Sequence, residues 1–581
     1  MKSFYIGLTG YNHESSVALV DDKANLVDYY REESLSRIKG DKSFPKRGLN
    51  KIIEQYNLDL NNIRSIAFYE RPLTAFLTPL KTAALNIPES LPLISHQCRN
   101  FNKSSVSCFT DLSKIKSGLE KKLIYVDHHL SHTLTALPYS DIQENLCSVV
   151  VDGFGDRSTA SICKINNKFD IKELWSCDYP ASLGLFYSAI TDFLGFQVNE
   201  GEYKVMGLSS FGNSESEMAK KIFDLINWNE ERKEIELDMS YFSYHVSPTD
   251  SYSKKLSILL GKPRNPFIPL KPEDNDFQFY ADIARGAQDA VVEILCNIFK
   301  FAYSLTGVKT FLFSGGVSMN SASLDKISSL PNVEQLIIPP SPGDAGSSIG
   351  SALYAYLKTS NNVVNKLPKP SLFPSSFDSK VQKNLASKII SQNFKIIETD
   401  LKKALSISSQ LIKEGEVIGT IINNAETGPR ALGNRSLICD GKNKEAVKIL
   451  NTVIKNRSPF RPTAPCMKLE VAKKYYYLRE ELMDCYKSMS ATCKCIKDSI
   501  SLSFPTTHVD GTARLQIAEE GQLIYQLLTE TEKLDVEILA NSSLNLSGDP
   551  TCFDFIDALM ISSRNPLKYI LTDFALLEYI Q

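Results

Sequence analysis

Two stretches, FYIGLTGYNHESSVALV at residues 4–20 and CSVVVDGFGDRSTASIC at residues 147–163, repeat one pattern. Each runs from an apolar strand through a glycine-bearing polar turn and a serine into a second apolar strand, which predicts two β-hairpins. A chain that carries this hairpin twice, each copy followed by helices and further strands, is expected to fold as a duplicated α/β domain with a cleft between its halves. Further strands are predicted at IRSIAFYE (63–70), KLIYV (122–126), KTFLFS (309–314) and QLIIP (335–339), with a long helix from about Tyr280 to Tyr303. The Asn-, Ser- and Pro-rich stretch 359–379 reads as a junction. That places one domain at 1–358 and a second at 380–581, where EVIGTIIN (416–423), a helix AVKILNTVIK (446–455) and VEILANSSLN (536–545) predict another α/β unit.

Composition narrows the partners. The 581 residues are 43% hydrophobic and 23% charged, and 65 basic residues nearly balance 67 acidic ones. No global field draws such a chain to nucleic acid or an anionic membrane, so small molecules are the expected partners, with a homo-oligomer left open. The N-terminus does not read as a signal peptide, and no apolar run approaches the ~18 residues of a membrane helix, so a cytoplasmic location is expected. The twelve cysteines are scattered; Cys493 and Cys495 are close together but lack a second pair at zinc spacing, and most read as reduced core thiols.

Chemistry concentrates at strand ends. VDHHLSHTLTA (126–136) follows an apolar run and carries three of the seven histidines. If Asp127 caps a helix starting at His128, then His128 and His132 share a face, and His129 points elsewhere. Asp152 follows a second apolar strand, and Asp344 follows a third within PGDAG (342–346). In a parallel α/β sheet such exits converge on the ligand crevice. Two imidazoles and two carboxylates suit a divalent transition metal such as Fe(II), Mn(II) or Zn(II). Singly, each aspartate serves equally well as a helix cap or a turn residue. The turn SGGVSMN (314–320) and the glycine loop at 343–350 fit a nucleotide cleft, with backbone amides near phosphate or ribose.

Taken in order, GYNHESSVALV, Glu32-Glu33 with Phe44-Pro45, VDHHLSHTLTA, VVVDGFGD, SLGLFYSAITDFLGF, EGEYKVMGL, SGGVSMN and PGDAGSSIGSA resemble the N-terminal domain of the O-carbamoyltransferases of nodulation-factor, cephamycin and tobramycin biosynthesis. GPRALGNRS (428–436), RSPFRPTAP (457–465), HVDGTARLQ (508–516) and NSSLN (541–545) resemble that family's C-terminal domain. The resemblance implies an actin-like (ASKHA) N-terminal domain followed by a YrdC-like C-terminal domain. It implies that the latter makes carbamoyladenylate from ATP, with Mg, and carbamoyl phosphate, and that the former passes the carbamoyl group to an acceptor hydroxyl of a small molecule or sugar. By motif it puts an iron-type metal on His128, His132, Asp152 and Asp344, and makes His13 the candidate general base beside Asn12. It further implies that Lys204 neutralises phosphate, that Gly315, Gly316 and Asn320 hold adenosine, and that Arg430, Arg435, Lys455, Arg457, Arg461 and Arg514 offset the charge of crowded phosphates. Asn541, Ser543 and Asn545 offer neutral hydrogen bonds to the same ligands.

The chain departs from the family pattern at Asn423-Asn424, where Gly-Arg is usual, at Ser458, where a glutamate is common, at Ser34 in the EER-type segment, and at Gly40, where a histidine is frequent. Three other readings compete. An actin-like sugar kinase or ATPase leaves the histidine and aspartate set unexplained. A tRNA threonylcarbamoyl transferase calls for a basic stripe that the charge balance does not provide. A non-catalytic nucleotide sensor has to account for intact HHxxH, PGDAG and GPRALGNRS motifs.

Overall fold

The computed structural model describes residues 2–361, 364–376, 393–422, 424–458, 460–496, 505–565 and 567–580. The chain forms two compact units. The first comprises Met1–Glu32 and Gly40–Pro370, and the second Glu33–Lys39 and Ser371–Gln581. The division after Pro370 falls within the stretch expected as a junction, whereas the assignment of residues 33–39 to the second unit has no counterpart in a division by position along the chain.

In the first unit, β1 (Phe4–Thr9) pairs antiparallel with β2 (Ser16–Val20), and β2 with β3 (Leu26–Arg31). On the other side of β1, β4 (Ile63–Phe68) and then β5 (Leu123–Tyr125) add in parallel, giving the order β3-β2-β1-β4-β5. A second sheet repeats this. β6 (Leu146–Val151), β7 (Ser158–Asn167) and β8 (Asp170–Asp178) form the antiparallel meander. After a separate hairpin of β9 (Ile226–Asn229) and β10 (Glu234–Leu237), β11 (Thr310–Ser314) joins β6 in parallel and β12 (Gln335–Ile337) joins β11. The order β12-β11-β6-β7-β8 matches the first sheet strand for strand. Both hairpins and the duplication expected from the repeated pattern are therefore present.

The helix expected from Tyr280 to Tyr303 runs further, Phe277–Thr306, and stops at Gly307, whose φ of 66° ends the helix without steric cost. Helix Asp344–Thr359 lies directly on β1: a Cβ at Gly7 would stand 1.8 Å from the Ser348 carbonyl oxygen. Its residues Ile349, Leu353 and Tyr356 enter one core with Tyr5, Ala18 and Ala67 of the first sheet and Leu312 and Ile337 of the second. The two sheets of this unit thus share a core, which fixes the strand ends of both relative to one another.

One buried acid in this unit sets a pH dependence. Asp28 in β3 is fully buried and accepts from Tyr29 N at 2.8 Å, Tyr56 Oη at 3.1 Å and Gln55 Nε2 at 3.2 Å. Burial outweighs these bonds and pushes its carboxyl up to about 6. Because the folded state holds this proton more tightly than the unfolded chain, the contribution to stability is lost as pH rises from about 4 through about 6. We predict that Asp28→Asn gains about 2 kcal/mol relative to the wild type between pH 4 and pH 7, read by denaturant titration at both pH values.

The second unit is built on an eight-stranded mixed sheet. Its strands in spatial order are Phe394–Glu398, Leu576–Tyr579, Tyr569–Thr572, Ile418–Ile421, Ser436–Asp440, Leu539–Ser543, Ala464–Met467 and Gln516–Ile517. Helices Leu401–Lys413, Leu523–Glu532 and Phe555–Arg564 bury their apolar faces in the unit's cores. The helix expected over 446–455 begins as α at Lys444–Lys448 and widens to a π turn over Ile449–Ile454, directly before Lys455. Among the described residues no cysteine forms a disulfide. Among the described residues, no helix is long and apolar enough to cross a membrane.

Candidate functional site

Asp127 caps helix His128–Ala136, its side chain accepting from Leu130 N at 3.1 Å, and the histidines therefore start the helix as expected. Gly350 lets this helix approach helix Asp344–Thr359 closely, since a Cβ there would stand 1.9 Å from the Ser131 carbonyl oxygen. That approach brings Asp344, at the start of one helix, to His128 and His132 on the other. Asp152, at the exit of β6, completes the group, and the four ligand atoms lie within 4.8 Å of one another. Gly350→Ala is predicted to force the helices apart and to lower metal retention at least about tenfold, measured as metal bound per chain after dialysis.

The donor set fits a divalent cation. His132 Nε2 is 3.0 Å from Asp152 Oδ2 and 3.3 Å from Asp344 Oδ1, while His128 Nε2 is 3.5 Å from each of the same atoms. The two Nε2 atoms face each other at 3.1 Å. Two imidazolium groups cannot both point protons into that space, whereas one cation between them satisfies all four donors. His132 Nδ1 lies 3.1 Å from Ser347 Oγ, which leaves the Nε2 lone pair directed inward. His128 Nδ1 is buried and makes no hydrogen bond. Burial opposes charge on His128, yet Asp344 and Asp152 push its pKa up to about 10. Burial likewise opposes charge on His132, and hydrogen bonds to the same two carboxylates raise its pKa. His129 faces away, bonded to Ser161 Oγ at 2.8 Å; burial and the neighbouring His128 charge push its pKa down to about 3.

His13 lies in the β1–β2 turn. Burial disfavours its charged form, but Asp344, Glu14, Asp152 and Glu202 outweigh this and raise its pKa. Asn12 Nδ2 donates to Glu70 Oε2 at 2.8 Å. Glu70 is a buried acid beside this turn that the motif reading passed over. It follows β4, its other oxygen is buried without a hydrogen bond, and burial pushes its carboxyl up to about 7. The strand-exit logic that found Asp152 applies to it equally.

The glycine turn borders the same place. Gly315 has a φ of 90°, and a Cβ there would meet the Val151 carbonyl oxygen at 2.3 Å; at Gly316 a Cβ would stand 3.0 Å from Asp152 Oδ1. Asn320, expected at adenosine, exchanges two 3.0 Å hydrogen bonds with the Gln288 amide and caps helix Ser321–Ser328. Lys204 holds its ammonium 5.5 Å from the centroid of the Phe196 ring.

In the second unit the expected cations separate into two groups. Burial, then Arg430, Arg461 and Arg457, depress the pKa of Arg514 well below its ordinary value. Burial, then Arg457, Arg461 and Lys39, do the same to Lys455. These residues form one crowded field of positive charge. Lys455 Nζ donates to the Ser543 carbonyl at 2.7 Å, Ser543 Oγ at 3.2 Å, the Asn545 carbonyl at 2.9 Å and Asn545 Oδ1. Arg457 donates to Thr463 Oγ1 at 2.7 Å.

Arg435 differs from the expectation of a phosphate contact. It is fully buried and donates to the carbonyls of Ile422, Asn434 and Phe553, because a guanidinium taken from water needs such acceptors. Asn541 donates to the Ala431 carbonyl at 3.0 Å and Gln516 Oε1 at 2.6 Å, bracing the loop that carries Arg430. Glu426 Oε1 accepts from Leu432, Asn434 and Arg435 backbone N–H groups in the same loop. Asn424 donates to the Phe373 carbonyl at 2.9 Å, Ser458 O accepts from Arg461 N at 3.2 Å, and Asn423 lies outside the described residues.

Sequence comparisons place this architecture. Residues 5–353 match the family described as Carbamoyltransferase N-terminus, and residues 409–578 match Carbamoyltransferase C-terminus. The chain belongs to this family of O-carbamoyltransferases and is a carbamoyltransferase. It is 28% identical to protein sll1178 of Synechocystis over 99% of this chain and 97% of the relative. It is 26% identical to the nodulation protein NolNO of Sinorhizobium fredii over 94% and 76%. It is 31% identical to the 3'-hydroxymethylcephem-O-carbamoyltransferase of Streptomyces clavuligerus over 24% and 26%.

Proposed function

We propose that this carbamoyltransferase works in two steps at two sites. The second unit, read as a YrdC-like domain, hydrolyses carbamoyl phosphate to carbamate with release of orthophosphate, and the carbamate oxygen then attacks the α-phosphate of ATP, with Mg, forming carbamoyladenylate as pyrophosphate leaves. The first, read as an actin-like domain, transfers the carbamoyl group from the adenylate to an acceptor hydroxyl. The observation that carries the first step is the burial of two cations among others, Arg514 beside Arg430, Arg457 and Arg461, and Lys455 beside Arg457 and Arg461, an arrangement that calls for an anion. Arg430, Arg457 and Arg461 present planar donors to phosphate oxygens, while Lys455, steadied by Ser543 and Asn545, adds a point charge.

For transfer, the acceptor oxygen attacks the carbamoyl carbon, the carbon–oxygen bond to AMP breaks, and the hydroxyl proton passes to the imidazole of His13. Asn12, tied to Glu70, steadies the turn that carries His13. His128, His132, Asp152 and Asp344 would hold the metal, with Fe(II) the assignment the family resemblance favours and Mn(II) or Zn(II) the alternatives. When bound, that ion supplies Lewis-acid polarisation and offsets the Asp152 and Asp344 charge that favours imidazolium at His13. Gly315 and Gly316 leave room for the nucleotide beside Asp152. The acceptor is a hydroxyl-bearing small molecule or sugar, and the cell compartment is the cytoplasm.

Product analysis tests this reading. With ATP, carbamoyl phosphate and a panel of hydroxylated acceptors, the products are expected to be AMP, pyrophosphate, orthophosphate and an O-carbamoylated acceptor. ADP with a phosphorylated acceptor would instead establish a kinase.

A further inference from the structure

Residues 33–39 follow β3 directly yet belong to the second unit. Arg37 anchors them there with all three guanidinium nitrogens. Nε pairs with Asp557 Oδ1 at 3.0 Å, Nη1 donates to the Thr551 carbonyl at 2.9 Å, and Nη2 donates to the Pro550 carbonyl at 3.2 Å. Asp557 is buried and uses its other oxygen to accept from Phe553 N at 2.7 Å, completing a capping box with Asp554 at the start of helix Phe555–Arg564.

The same loop carries the acceptors of Lys455. Asn545 receives the Lys455 ammonium on its carbonyl and side-chain oxygens, and Asn545 Nδ2 donates to the Asp549 carbonyl at 2.6 Å. Residues 545–557 are therefore gripped at one end by Lys455 and at the other by Arg37. Lys39, two residues after Arg37, is near enough for its charge to bear on Lys455. A fork bonded to two adjacent carbonyls and a buried carboxylate fixes a loop more firmly than an exposed ion pair does.

We propose that Arg37 is a positioning residue for the donor-side step, clamping residues 33–39 onto the 545–557 loop so that the loop holds Lys455 in place for an anionic ligand. This rests on the reading of the second unit as the adenylate-forming site. It makes that site dependent on a stretch of chain from the N-terminal family region.

Full-length Arg37→Ala, Arg37→Lys and Asp557→Asn proteins test it against the wild type. The measurements are carbamoyl-phosphate-dependent exchange of labelled pyrophosphate into ATP, calorimetric titration of inorganic pyrophosphate, and thermal melting. Arg37→Ala is expected to raise the half-saturating carbamoyl phosphate concentration and the pyrophosphate Kd by about tenfold, with a smaller fall in maximal rate. Asp557→Asn shifts both in the same direction, and Arg37→Lys recovers part of the loss. A lowered melting temperature with unchanged half-saturation would make Arg37 merely structural and overturn the inference, as would Arg37→Ala matching the wild type in every measurement. If the wild type exchanges and binds no pyrophosphate, the adenylation reading itself falls and the inference goes with it.

Discussion

Replacing His128 with alanine is expected to reduce carbamoyl transfer by at least about a thousandfold, roughly 4 kcal/mol of transition-state stabilisation, while pyrophosphate exchange continues at the wild-type rate. The transfer loss follows from the geometry. His128 supplies one of four donors whose ligand atoms lie within 4.8 Å of one another, and it is buried against Asp152, Asp344 and His132. Its removal leaves two carboxylates and one imidazole. The preserved exchange follows from the separation of chemistry: every residue proposed for adenylation belongs to the second unit. Metal content, measured alongside, is expected to fall below one tenth of the wild-type stoichiometry. Loss of both activities together would contradict the division of labour.

Replacing Arg514 with alanine is expected to have the opposite signature. Exchange falls by about a hundredfold to a thousandfold, the cost of removing a preorganised cation from developing phosphate charge. Stability without ligand does not fall, because Arg514 stands buried among Arg430, Arg461 and Arg457 and its removal relieves like-charge repulsion. The rise in melting temperature that ATP and carbamoyl phosphate produce in the wild type is lost, since that rise measures binding to the native state. Scanning calorimetry with and without the ligands reads both halves of this prediction. A drop in ligand-free melting temperature would mean that Arg514 is a structural cation.

The sequence made the duplicated sheet legible because its signal is local. Apolar strands flanking a glycine turn at 4–20 and 147–163 show hairpins whatever packs around them. The clustering of four side chains was equally legible, since His128 and His132 share a helix face and Asp152 and Asp344 each follow an apolar strand. Arg435 was not. Its motif says phosphate, but its side chain is buried on three backbone carbonyls, and burial depends on packing that no local pattern reports. Glu70 was missed because a single glutamate after a strand looks like any surface acid until Asn12 is seen bonded to it. Residues 33–39 were invisible for a deeper reason. Their partners, Pro550, Thr551 and Asp557, lie more than 500 positions along the chain, and no periodicity links them.

On the proposed route one chain first converts carbamoyl phosphate into carbamoyladenylate and then transfers the carbamoyl group. The incorporation of labelled pyrophosphate into ATP by the purified protein, with and without carbamoyl phosphate and in the absence of any acceptor, tests this most directly. Exchange that requires carbamoyl phosphate is the predicted result. A folded, magnesium-supplied protein that shows no exchange, or exchanges equally without carbamoyl phosphate, would contradict it.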